Sequence, residues 1–171
     1  MNSKKKSKII VFWYIILWGL SVFQYNTILS YSAATAEESA MESRAVADIV
    51  SDFLDKCFGS DGSNKDEKQE LFIHHLTRKL AHVAIFYMFS FLNAMLFFLA
   101  SQEDDCMTFV STLFIGVCGA AFDEYSQLFV EGRAGMFSDV LVDTVGTCGA
   151  CLTFFILLKV SKYFIRKRVI V

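Results

Sequence analysis

Apolar residues in this chain gather into long blocks separated by polar segments. Four blocks are readable, at about residues 9–29, 80–100, 107–130 and 140–160. Each is near the roughly 20 residues a helix needs to cross the hydrocarbon core of a bilayer. The pattern predicts an all-α fold, an integral membrane four-helix bundle. Between the first two blocks, Val46, Ile49, Val50, Phe53 and Leu54 recur at helical spacing, with Asp48, Asp52 and Asp55 among them. That periodicity predicts an additional amphipathic helix on the outer face, either packed on the rest of the protein or lying in the interface. Thr35 and Glu38 read as a capping box at its start, and Asn64 with Glu67 as a second cap leading through His74 and His75 into the second block. Gly59 and Gly62 break the chain between them.

This gives four regions. Residues 1–30 are a basic tail and first transmembrane helix, 31–77 an extracytoplasmic segment, 78–160 a core of three transmembrane helices, and 161–171 a basic tail.

Composition supports the membrane reading. Hydrophobic residues make up 54% of the 171, with 18 Phe, and charged residues only 20%. A soluble domain of this size carries a larger charged share. Proline is absent, which suits long uninterrupted helices. Basic residues crowd both ends: Lys4, Lys5, Lys6 and Lys8, then Lys159, Lys162, Arg166, Lys167 and Arg168. They flank apolar blocks and act as topology anchors, so both termini are expected in the cytoplasm. For the same reason nucleic acid is not an expected partner. Ala34-Thr35-Ala36 resembles a signal-peptide cleavage site, but the first block is long for that role and is read as a retained span. The five cysteines form no metal-binding motif, and Cys148 and Cys151 read as a small-residue pair inside a helix.

The topology places the loops at residues 30–77 and 131–138 outside. Every unusual polar residue then falls on that side. Arg78 and His82 are i, i+4 neighbours where the second block opens. Asp123, Glu124 and Gln127 lie where the third block ends, Arg133 in the next loop, and Asp139 and Asp143 where the fourth begins. An ionised group at mid-bilayer costs on the order of 2.5–3.5 kcal/mol on insertion scales, so a gathering of this kind points to function. His82 with Glu124 or Asp123 can serve as general acid and base. Arg78 and Arg133 can bind a phosphate through planar forks of donors. Gln127 and Asp139 can orient substrate or water. The acids with His82 can alternatively hold a hard divalent cation. A purely structural network that fixes helix register is the competing explanation. Gly116 with Ala120 and Gly146 with Ala150 are small-xxx-small pairs that allow close helix approach.

Three segments carry a resemblance. They are Arg78-Lys79-Leu80-Ala81-His82, Asp123-Glu124-Tyr125-Ser126-Gln127 continuing to Gly132-Arg133, and Ser138-Asp139-Val140-Leu141-Val142-Asp143-Thr144-Val145-Gly146. In this order and spacing they resemble the VanZ-like family of bacterial membrane proteins, over roughly residues 77–154, with a weaker echo in the serine-rich residues 30–43. Two departures stand out. The family often has Glu-Tyr three and four positions after the histidine, where this chain has Ile85 and Phe86. It often has proline before the Gly-Arg pair, where this chain has Glu131.

The resemblance implies a multi-pass protein of the bacterial cell membrane, with its polar site on the extracytoplasmic side. It implies a membrane lipid or lipid-linked cell-wall precursor as partner, and a link to resistance against the glycopeptide teicoplanin. The expected activity is cleavage or exchange of a phosphate-linked head group. The alternatives are a non-catalytic protein that binds lipid or antibiotic and alters surface access, or a structural subunit.

Overall fold

The computed structural model describes residues 3–35, 41, 49, 67–101 and 104–169. Among them, four helices form the whole architecture: α1 (Ser3–Ser32), α2 (Glu67–Ala100), α3 (Asp105–Gln127) and α4 (Phe137–Val169). At 1.5 Å per residue they run roughly 35–51 Å, longer than the ~30 Å hydrocarbon core. Each contains a stretch long and apolar enough to cross a membrane: Lys8–Ser32, His75–Ala100, Asp105–Gln127 and Phe137–Lys167. Large apolar side chains such as Phe23, Phe114 and Leu152 stand exposed on the bundle surface, where acyl chains would cover them. Of the amphipathic helix and the two caps expected between α1 and α2, only Thr35, Ile49 and Glu67 are among the described residues, and the rest lies outside them.

Helix ends depart from the apolar blocks. α2 begins well before residue 80, because polar residues such as Glu67, Lys68 and Gln69 are good helix formers and continue the hydrogen-bond ladder beyond the apolar edge. α3 stops at Gln127 although Leu128, Phe129 and Val130 prolong the apolar run. Those residues form successive turns instead, with Leu128 N–H donating to Tyr125 O and Val130 N–H to Gln127 O. Gly132 then takes a φ of 73°, a left-handed conformation that glycine adopts at little cost. At the other end of α3, the Asp104 side chain accepts from Met107 N–H at 2.9 Å, a conventional N-cap.

Cross-helix contacts set the up-down-up-down order. Ser32 at the end of α1 meets Asp123 near the end of α3. His82 of α2 meets Asp143 of α4, both near their helix starts. Lys162 late in α4 meets Asp105 at the start of α3. The ends of α1 and α3 therefore share one end of the bundle with the starts of α2 and α4. The most extensive interface is α2 with α4, while α1 packs on α2 and α3.

Small and hydroxyl residues let these helices close, as expected where the lipid competes equally for apolar contact. A Cβ on Gly146 would overlap the Val83 carbonyl and come within 3.0 Å of Tyr87 N. Ala120 and Ala150, the partners of the two glycine pairs, are fully buried. Ser90 donates to Thr147 Oγ1 at 2.9 Å, and a Cβ on Gly116 would overlap both side chains. Ile28, Phe86, Phe89 and Ala120 form an apolar core cluster beside this contact. Tyr25 stacks on Phe89 and donates to Gly119 O at 3.2 Å, joining α1 to α3. Tyr25→Phe should lower the unfolding free energy by about 1 kcal/mol, the usual net value of one such bond. Thermal melting in detergent checks it.

Candidate functional site

The seven residues singled out from the sequence all fall at the shared end of the bundle. Arg78 and His82 lie on α2, Asp123, Glu124 and Gln127 in the last turns of α3, Arg133 in the linker, and Asp139 in the first turn of α4. They divide into two adjoining groups.

The first group is a hydrogen-bonded network. Gln127 is one turn beyond Asp123 and Glu124, so its Nε2 reaches both, donating to Asp123 Oδ2 at 3.3 Å and Glu124 Oε1 at 3.2 Å. Ser32, the last residue of α1, donates from Oγ to Asp123 Oδ1 at 2.5 Å. Glu124 Oε2 accepts the Met136 N–H at 2.8 Å. A Cβ on Gly135 would overlap the Glu124 carbonyl, so the linker runs hard against the end of α3. Glu124 Oε2 thus fastens the end of α3 to the residue before α4, while Oε1 is held within α3 by Gln127. Arg133 Nη1 donates to Ser32 O at 3.2 Å and more distantly to Tyr31 O at 3.5 Å, tying the linker to the end of α1. Burial, and then the like charge of Arg78, pull the Arg133 guanidinium below its ordinary pKa, and it stays a cation.

The second group lines a small pocket between α2 and α4. Arg78 and Lys79 supply its cationic side, Asp139 and Asp143 its acidic side, and Met136 and Val142 its apolar wall, with His75 and His82 among them. Lys79 Nζ is 3.7 Å from Asp139 Oδ1. His82 Nδ1 is 3.3 Å from Asp143 Oδ1. Asp143 is completely buried, and among the described residues neither carboxylate oxygen has a hydrogen-bond partner. The pocket gathers Arg78, His82 and Asp139 of the expected residues. Asp123, Glu124, Gln127 and Arg133 lie outside its lining.

The two groups meet at one point. His82, Asp123 and Asp143 each offer a ligand atom within 4.8 Å of the others, and they come from α2, α3 and α4.

A family model described as VanZ/LLP1 matches residues 9–159. The chain belongs to the VanZ/LLP1 family. The matched region takes in most of the chain, all four apolar blocks and every residue of both groups. Comparison with curated proteins gave no significant match, and neither did comparison with solved structures.

Three members of this VanZ/LLP1 site had no assigned role in the sequence reading: Ser32, Lys79 and Asp143. Asp143 is one turn beyond Asp139 and carried the same signal, a carboxylate inside an apolar block. Lys79 adjoins Arg78 in the first motif. Ser32 is 91 residues from Asp123, and no local spacing could have paired them.

Proposed function

We propose that this VanZ/LLP1 membrane protein is an enzyme that cleaves or exchanges a phosphate-linked head group of a membrane lipid or lipid-linked cell-wall precursor. The observation that carries the reading is the pocket in which His82, backed by the buried Asp143, shares a lining with Arg78 and Lys79. Arg78 offers a phosphate a fork of donors, and Lys79 a compact positive charge balanced by Asp139. Met136 and Val142 offer an apolar wall for the first methylenes of a lipid. The Asp143 carboxylate, 3.3 Å from His82 Nδ1, favours the proton on that nitrogen by its charge, which leaves Nε2 to exchange protons. As general base, His82 takes a proton from water or an acceptor hydroxyl as its oxygen bonds to phosphorus. As general acid, it returns a proton to the oxygen of the departing group as the phosphoester bond breaks.

The basic chain ends would put this end of the bundle outside the cell. A changed outer-leaflet head group alters the surface a glycopeptide meets, which connects this chemistry with teicoplanin tolerance.

The test is incubation of the purified protein with total bacterial lipid and lipid-linked precursors, followed by mass spectrometry. The wild type should deplete one phosphate-bearing species. His82→Asn should slow depletion by about 10²–10⁴-fold while retaining the lipid. Arg78→Ala should chiefly raise KM. A wild type that holds a lipid without converting it would instead favour the binding protein.

A further inference from the structure

We propose that His82, Asp123 and Asp143 form a three-ligand site for a divalent cation. One imidazole nitrogen and two carboxylate oxygens, drawn from three helices, converge within 4.8 Å. Metal–ligand bonds of about 2.0–2.2 Å put ligand atoms roughly 3–4.4 Å apart, so a cation closes this set with side-chain shifts of an ångström or less.

Convergence alone would not distinguish a metal site from an acidic cluster. Asp143 supplies the independent sign. It has no solvent exposure, and neither of its oxygens accepts a hydrogen bond among the described residues. His82 Nδ1 stands 3.3 Å from its Oδ1. Buried carboxylates are normally hydrogen-bonded, paired or bound to a metal. Asp123 is different in a complementary way. Ser32 Oγ and Gln127 Nε2 hold one oxygen each, the kind of outer support that orients a ligating carboxylate. Glu124 stands apart, since its carboxylate is not among the ligand atoms that converge here.

The ligand set selects the ion. Mixed imidazole and carboxylate donors without thiolate suit Mn²⁺ or Zn²⁺. Three protein ligands leave coordination positions open for water and for a phosphate oxygen. The pocket already places His82 and Asp143 next to Arg78 and Lys79, so an anionic phosphoester could reach those positions. With a cation held there, His82 would be a ligand, and the ion would supply a water of lowered pKa, whose proton would pass to solvent and whose oxygen would bond to phosphorus as the phosphoester bond to the departing group breaks. This role for the ion rests on the phosphoester reading. Its binding does not.

The full chain in detergent, stripped with EDTA, would be dialysed against MnCl₂ with no lipid added. Bound metal would be counted by mass spectrometry and its environment read by electron paramagnetic resonance. Wild type and Asp105→Asn, an exposed site at the far end of the bundle, should hold one Mn²⁺ per chain. Asp143→Asn and His82→Gln should each weaken binding by about tenfold or more. Thermal melting of the stripped proteins identifies any variant that fails to fold, and the other then carries the test. A wild type without stoichiometric Mn²⁺ or Zn²⁺, or an Asp143→Asn protein that keeps it, overturns the site. In that case lipid turnover can still rest on His82 and Asp143 as an acid–base pair. A protein that binds Mn²⁺ yet converts no lipid keeps the site and loses the enzyme.

Discussion

Asp143→Asn should remove head-group turnover while the stripped protein unfolds no earlier than the wild type. The two halves of this expectation have one cause. Asp143 is fully buried, its oxygens accept no hydrogen bond among the described residues, and its near neighbour is a histidine that can be neutral. A carboxylate in that setting carries a desolvation penalty, and asparagine of the same shape sheds the charge without opening a cavity. Stability therefore stays level or rises. Function falls because asparagine can neither support an imidazolium nor ligate a cation as strongly. The expected loss is about 10²–10⁴-fold, the range ascribed to a positioned acid–base group. Lipid conversion followed by mass spectrometry, alongside melting in detergent, reads both halves. If melting temperature and turnover collapse together, Asp143 is a structural residue and the functional reading loses its centre.

The second large effect belongs to Gly146. Gly146→Leu should destabilise the bundle by about 3 kcal/mol, the upper part of the range for overpacking. The cause is backbone contact. A Cβ at this position already overlaps the Val83 carbonyl, which no side-chain rotation can relieve. Turnover should fall as well, since Val83 follows His82 and Gly146 lies one turn beyond Asp143. Parting the helices there widens the His82–Asp143 contact. Gly19→Leu is the control, because a Cβ at Gly19 meets nothing within 4 Å and leucine is the better helix former. Equal losses at the two glycines would mean that helix separation is not what Gly146 controls.

The sequence made the bundle legible because a bilayer imposes one coarse rule, a long apolar block for each crossing. Lys8–Ser32, His75–Ala100, Asp105–Gln127 and Phe137–Lys167 follow the blocks closely. The rule is silent about where helices end, so Leu128–Val130 read as helix when their backbone turns. The polar residues were legible for a related reason, since a charge in an apolar block is conspicuous whatever it does. Their division into two groups was not. Glu124, read from the sequence as an acid or base, also accepts the Met136 amide on its second oxygen. Arg133, read as an anion binder, also donates from Nη1 to the carbonyls of Tyr31 and Ser32. Both contacts depend on the path of a nine-residue linker, residues 128–136, which hydropathy does not describe. Ser32 depends on helix pairing across 91 residues. Asp143 was visible as a charge, and only burial and the lack of hydrogen bonds raise it above Asp139.

The glycine spacer between α2 and α4 leaves that seam no slack. His82 and Asp143, which would do chemistry, are therefore mounted on a joint with no room to close further. A substrate arriving from the bilayer must supply the flexibility itself, so selection should favour slender, freely rotating linkages over bulky, rigid ones.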